Sequence, residues 1–286
     1  MSIGCIYALV ALGFVLIYKA TEVVNFAQGE LMMLGAFLAY TFISILGWNY
    51  WIGAAAAIIC MFFAGNMVDR VFLRPVLGQP QFSIVMVTIG FGYMARSAAG
   101  MMPGWGTETY AISTPFSSEG MQLVPESMGS LVISQTDISV IVATIILCAV
   151  LYAFFTHTRL GIAMQASSQN QLAAYYMGIP VKAVFSMIWG ISAAVAAAAG
   201  ILLAPTTLID TSMGFIGLKA FPAAVLGGFG SIPGAVVGGL IIGIIETLAG
   251  FYLPPGFKNV AAYVVLLIVL VVRPQGLFGQ KTGKRV

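Results

Sequence analysis

Charge is scarce in this chain. Of its 286 residues only 7% are Asp, Glu, Lys or Arg, while 60% are hydrophobic. A soluble domain carries about 25% charged residues, so this chain cannot cover itself with a solvated surface. That excludes a soluble enzyme, a secreted disulfide scaffold, a disordered chain and a nucleic-acid binder. The three cysteines, Cys5, Cys60 and Cys148, are odd in number and lie in apolar runs without CxxC or Cys/His spacing. They read as small packing residues, and no metal is expected. The single histidine, His157, falls on a different element and depth from Ser231, which argues against an intramembrane serine protease. No GxxxxGKST is present, and the stretch 279–285 has the wrong spacing for a phosphate loop. If ATP drives this protein, another subunit binds it. Arg-rich voltage-sensor and TVGYG filter patterns are missing as well. Residues 1–18 lack a basic leader and a cleavage site, so they read as a first membrane helix with room for a short natural leader upstream.

What is present is a series of long apolar runs. A membrane span needs about 20 mostly apolar residues. The candidates are Ile3–Tyr18, Leu31–Gly47, Trp51–Val68, Phe82–Met102, Ile138–Phe155, Val181–Leu203, Phe221–Ala249 and Val260–Val272. The expectation is an all-α, polytopic helical bundle of about eight elements forming one domain over 1–286. The 33 glycines and 15 methionines suit packed membrane helices.

Positive charge marks the cytoplasmic side. Asp69, Arg70 and Arg74, the segment from Arg159 to Lys182, and the tail with Arg273, Lys281, Lys284 and Arg285 are placed inside. The stretch from Pro103 to Asp137 has no Lys or Arg but carries Glu108, Glu119, Glu126 and Asp137, and is placed outside as a polar loop with short structured pieces. Eight full crossings conflict with this pattern, which puts the N-terminus outside and the tail inside. One element must be broken or re-entrant. The suspect is Phe221–Ala249, interrupted by Gly227, Gly228, Gly230, Pro233 and Gly234. The other ways out are an absent N-terminal segment or a tail read on the wrong side.

Four places depart from plain apolar helix. Lys19 to Glu30 joins two apolar runs and holds Glu22, Asn25, Phe26, Gln28 and Glu30. It reads either as a polar turn with Asn25 capping the next helix, or as a broken helix whose polar groups face a translocation cavity. The glycine-rich break and Glu246 form the second, with packing as the default for most glycines and a headgroup-level position open for Glu246. The third, Arg159 to Gly178, is polar, helical in length, and ended by Gly178-Ile179-Pro180. It suits a surface helix or one docking in a groove of a soluble partner, and its lack of a Lys/Arg-rich face argues against lipid. The fourth is an outer segment, Ala204 to Lys219, where Asp210 and Lys219 suit an ion pair, a loop cap or an external gate.

Several of these segments together resemble one family. Asn25-Phe26-Ala27-Gln28-Gly29-Glu30 is similar to the Asn-Phe-Ala-His-Gly-Glu signature of branched-chain amino acid ABC transporter permeases. Gly161 to Ile179 resembles their cytoplasmic segment. Lys219 to Ala235 resembles their glycine-rich stretch, and Arg273-Pro274-Gln275-Gly276-Leu277-Phe278-Gly279 their ending. The resemblance implies a multi-pass subunit of the bacterial inner membrane, not itself an enzyme. It would work with a second permease as a heterodimer, two ATP-binding subunits and an external solute-binding protein. ATP and magnesium would be held by the partners, and this chain would bind no cofactor. The same resemblance implies a coupling segment over about 159–180, with Gly161, Gln165, Gln169, Asn170, Ala173 and Gly178 as its residues. A substrate path along Asn25, Phe26, Gln28 and Glu30 follows, and alanine at Asn25 or Glu30 should then lower uptake with assembly intact. Gln28 stands where the family commonly has His, and Gln165 where many members have Arg. The substrate class implied is branched-chain amino acids, with urea or short-chain amides as the alternative. An ion-coupled secondary transporter using Glu30 or Glu246 is the rival class.

Overall fold

The computed structural model describes residues 1–76, 78–106, 108–117, 120–122, 132–254 and 256–279, without the side chains of 121, 122 and 132. Glu119, Glu126, Lys281, Lys284 and Arg285 lie outside the described residues. The helices in chain order are α1 (Ser2–Thr21), α2 (Gln28–Tyr40), α3 (Tyr50–Val68), α4 (Gln81–Met101) and α5 (Gln135–His157). They continue with α6 (Arg159–Gln169), α7 (Gln171–Tyr176), α8 (Val181–Thr207), α9 (Gly214–Gly227), α10 (Ile232–Tyr252) and α11 (Phe257–Val272). Wider π turns extend α2 to Ile45 and α3 toward Val76. In the loop after α4, strands β1 (Gly120–Gln122) and β2 (Val132–Ser134) pair antiparallel, a small exception to the all-α expectation.

Seven helices among the described residues are long and apolar enough to span a bilayer, and α9 and α11 are shorter apolar helices. The eighth-element conflict resolves at the expected place. The run Phe221–Ala249 is two helices, not one, because α9 ends at Gly227 and α10 begins at Ile232. They pack antiparallel, with Gly227 against Gly234 and Ala223 against Gly238. The break therefore reverses the chain within the bundle, and the first and last described residues lie toward opposite ends of it, with Gly4 on Gly243 and Phe278 on Gly227. The basic segments do gather at one end: Arg74 donates to the Lys182 carbonyl at 3.3 Å, and Gln171 Nε2 to the Ala20 carbonyl at 3.5 Å. At the other end Tyr110 pairs with Ile209, and Trp105 Nε1 donates to Thr41 at 2.8 Å.

Helix α1 is the axis of the bundle. Its residues from Gly4 to Ile17 are buried among α5, α8, α9 and α10. Lipid tails are as apolar as Leu, so packing rather than water exclusion must hold such a helix. Close approach supplies that packing. Gly4 lies on Leu240 and Gly243, and Ala8 on Gly239, so that a Cβ at Gly239 would collide with the Ala8 backbone. The outward faces of α3, α5 and α11 expose Ile59, Phe63, Ile145, Val150, Leu267 and Val271, as a lipid boundary requires.

Candidate functional site

The link between α1 and α2 does not run over the surface. Glu22 ends α1 at φ 56, a left-handed turn that reverses the chain. Residues 23–27 then return into the bundle, where Val23, Asn25 and Ala27 are buried. Non-helical backbone at that depth needs protein partners. The Phe26 N–H donates to Thr88 Oγ1 at 3.2 Å, and the Ala27 N–H to Asn25 Oδ1 at 3.0 Å. Asn25 Nδ2 donates to Gln28 Oε1 at 3.3 Å, and Gln28 Nε2 to the Ser192 carbonyl at 3.3 Å. The Ser192 hydroxyl lies 3.0 Å from both the Gly13 carbonyl and Gln28 Oε1. Asn25 is therefore not a helix cap, since Ala27 is the residue that precedes α2. It is the centre of a closed polar knot tying α1, α2 and α8.

The four residues of the expected path are brought together but divide by exposure. Asn25 and Gln28 are fully buried, with their polar groups spent on this knot. Phe26 and Glu30 are half-buried. Glu30 stands in the first turn of α2, where the helix dipole favours a carboxylate. Its Oε1 accepts from Arg96 Nη2 at 2.5 Å. The guanidinium lies 3.9 Å from the centroid of the Phe215 ring and 5.9 Å from that of Tyr93. Arg96 Nε is buried and has no hydrogen-bond partner among the described residues. Gly92 on α4 and Gly214 on α9 leave room beside the Glu30 carboxylate. Phe26 packs on Phe221 at 5.6 Å. The first turns of α2 thus floor a groove walled by α4 and α9, with one ion pair in an aromatic setting. Sequence reasoning passes over Arg96, although a lone arginine inside an apolar run is a visible signal.

Asn25→Ala is expected to lower the melting temperature and the amount of protein recovered from membranes, because the Ala27 N–H loses its partner and Gln28 Oε1 keeps only the Ser192 hydroxyl. A buried group left unsatisfied costs about 1–3 kcal/mol. Uptake normalised to folded protein should then change little, which replaces the expectation of an intact complex with a failed path.

The segment after α5 forms two short helices. The Thr158 hydroxyl caps α6 by accepting the Gly161 N–H at 3.0 Å, and Asn170 Oδ1 caps α7 by accepting the Ala173 N–H at 2.9 Å. Gly178, at φ 82, ends it as expected. The six expected coupling residues again divide. Gly161 is pressed against the backbone of Phe154 and Phe155. Gln165 Nε2 donates inward to the Phe155 carbonyl at 2.9 Å, so these two anchor the segment and do not project from it. Gln169, Asn170, Ala173 and Gly178 are exposed. Beside them Leu172, Tyr175, Tyr176 and Met177 are 64–82% exposed, a contiguous apolar tip beyond the bundle. Such a patch marks an interaction surface.

The expected hinge is clasped. Gly227 closes α9, and Gly228 caps it at φ 94. The tail after α11 lies across this cap: the Leu277 N–H donates to the Leu226 carbonyl at 2.8 Å, and the Phe278 N–H to the Gly227 carbonyl at 3.1 Å. Gly234 packs on Gly227, whereas Gly230 and Pro233 are exposed, and Gly230 has open space around it. The glycine-rich stretch and the ending are therefore one unit.

Lys219 is not in an outer loop. It belongs to α9, and its ammonium lies 3.4 Å from Glu246 Oε1 and 2.8 Å from Asn259 Oδ1. The Tyr7 hydroxyl donates to the other carboxylate oxygen. Glu246 is 3% exposed and buried between helices. Asp210 makes a loop cap, accepting the Ser212 N–H at 2.9 Å. Among the described residues no group of acidic, His and Cys side chains is arranged for a metal.

A family model for the permease component of branched-chain amino acid transport systems matches residues 1–272. The chain is 32% identical to the high-affinity branched-chain amino acid transport system permease protein LivH of Escherichia coli K12, over 100% of this chain and 95% of that one. It is also 32% identical, with the same coverage, to the corresponding permease protein BraD of Pseudomonas aeruginosa. The fructose import permease protein FruG of Bifidobacterium longum is 30% identical over 48% of this chain and 44% of its own length. No solved structure is a significant match. The full-length matches take in both the buried knot with its groove and the projecting α6–α7 segment. This multi-pass membrane protein belongs to the branched-chain amino acid transport permease family.

Proposed function

We propose that this chain is the membrane-spanning subunit of an ATP-driven importer for branched-chain amino acids in the bacterial plasma membrane. The observation that carries the reading is the exposed apolar tip of α7, held by α6 at the end of the bundle where the basic segments gather. A soluble ATP-binding subunit docks there and passes its closure to α1 and α5 through Gln171, Gln165 and Gly161. Two such subunits hold ATP and magnesium. This chain binds no cofactor and catalyses no reaction. A second permease subunit faces the α4–α9 groove and completes the path, and an external binding protein delivers the substrate. The groove suits a hydrophobic amino acid: Phe26, Phe215 and Phe221 offer an apolar wall, Arg96 a carboxylate partner, and Glu30 an ammonium partner.

The test is a pull-down of the complex from detergent, comparing wild type with an Ala173→Glu/Tyr176→Glu chain. Both residues are exposed, so the fold should be unaffected. Wild type should bring down the ATP-binding subunit, and the variant at least tenfold less, as expected when charges enter an interface hot spot worth about 2 kcal/mol. Wild type bringing no ATPase, together with uptake abolished by an uncoupler, would move the chain to the secondary transporters.

A further inference from the structure

Away from the groove and the coupling tip, a cavity of about 620 Å³ opens on the flank of the bundle between the end of α3 and the starts of α6 and α8. Its walls are Phe62, Phe63, Met67, Val184 and Met187. Its basic end holds Arg70 and Arg74, one turn apart where α3 widens into its π turn. Phe63 and Met67 are 65% and 64% exposed on the lipid-facing side of α3.

The charges at this mouth do not cancel. Among the described residues the one acid facing it from the packed elements, Asp69, is buried and already engaged: Ser186 Oγ donates to it at 2.5 Å, and Arg74 Nε at 3.3 Å. Arg74 also donates to Ser186 Oγ at 2.7 Å, so it is a fixed part of the wall. Arg70 is exposed and has no ion-pair or hydrogen-bond partner among the described residues. Lys182, also exposed, follows Pro180 at the rim and adds a further positive charge.

We infer that this cavity is a binding site for an anionic phospholipid of the inner leaflet. The headgroup phosphate is received by Arg70 at the rim with Arg74 behind it, and one acyl chain lies along Phe63, Met67 and Met187. Basic pockets between helices on the cytoplasmic side suit such headgroups. A free phosphate ion fits poorly, because the volume beyond the arginines is mostly apolar, and its two polar side chains are already engaged, Asn66 with the Phe62 carbonyl and Ser186 with Asp69. A protein helix fits poorly as well, because the opening lies on the flank where α3 meets lipid.

The test uses the full chain in detergent and two probes labelled at the acyl end, phosphatidylglycerol and phosphatidylcholine. Wild type should bind phosphatidylglycerol at least about fivefold more tightly, and Arg70→Gln should lose about that factor, the size expected for one basic residue near a lipid surface. Ala183→Trp, which fills the cavity from an exposed wall position, should lower binding of both lipids. Should Ala183→Trp fail to elute as a folded chain, Arg70→Gln decides alone, since Arg70 has no ion-pair or hydrogen-bond partner to lose among the described residues. Equal binding of the two lipids, or unchanged binding in Arg70→Gln, overturns the inference. Displacement of phosphatidylglycerol by inorganic phosphate alone also overturns it, and assigns the arginines to a free anion.

Discussion

Arg96→Met should reduce uptake by about tenfold to a hundredfold in proteoliposomes holding the whole importer, matching the ~1.5–3 kcal/mol of a hydrogen bond to a charged group. Arg96 and Glu30 side chains are 18% and 13% exposed. Removing either partner leaves a poorly solvated charge, which costs about 3–5 kcal/mol in a fully buried pair and less here, because the groove is open on one side. Both Arg96→Met and Glu30→Gln should therefore melt earlier than wild type. The double variant tells the two roles apart. With no charge left unpaired it should regain most of the lost melting temperature, because a neutral replacement of a buried pair is often tolerated. Its uptake should stay low, because the groove then offers neither a carboxylate nor an ammonium partner. Wild-type uptake by the double variant would reduce the pair to a structural clamp between α2 and α4.

Gly228→Val should largely abolish recovery of folded chain from membranes, measured by gel filtration after solubilisation. At φ 94 a side chain is strained by about 1–3 kcal/mol. Its Cβ would also meet the backbone of Gly279 and Gln275, so the two tail bonds to Leu226 and Gly227 are lost, at about 1 kcal/mol each. That sum is a large part of a marginal total stability of about 5–15 kcal/mol. Gly230→Ala is the control. Gly230 is exposed with open space around it, and its substitution should be neutral. Normal recovery of Gly228→Val would show that the clasp is dispensable.

These two sites differ in how far they could be read from the amino-acid order. The break at Gly227–Pro233 was legible, because a Gly/Pro cluster inside an apolar run violates the backbone requirement of hydrocarbon. Seven of the eight expected spans were legible from length and apolar content, to within a few residues at each end, whereas Phe221–Ala249 is α9 and α10, with α9 starting back at Gly214. The return of residues 23–27 into the bundle was legible only as one of two options. What decided it lies far away in sequence, on Thr88 and Ser192. The pairing of Glu30 with Arg96, of Asp69 with Ser186 and of Glu246 with Lys219 and Tyr7 was not legible at all. Each joins elements whose neighbour relations no local pattern encodes. Exposure divided the expected coupling residues the same way. Gly161 and Gln165 look as polar and helical in sequence as Gln169 and Ala173, and only packing against α5 turns them inward.

The clasp over α9 also bears on the order of biosynthesis. The carbonyls of Leu226 and Gly227 are answered by Leu277 and Phe278, which the ribosome makes only after α10 and α11. Until then the end of α9 has open acceptors that a lipid interior cannot satisfy. The nascent chain must keep that end in water at the membrane surface while two more helices insert, so α9, α10, α11 and the tail mature as one cooperative step late in synthesis. Chains stalled before Arg273 would leave the carbonyls of Leu226 and Gly227 unanswered.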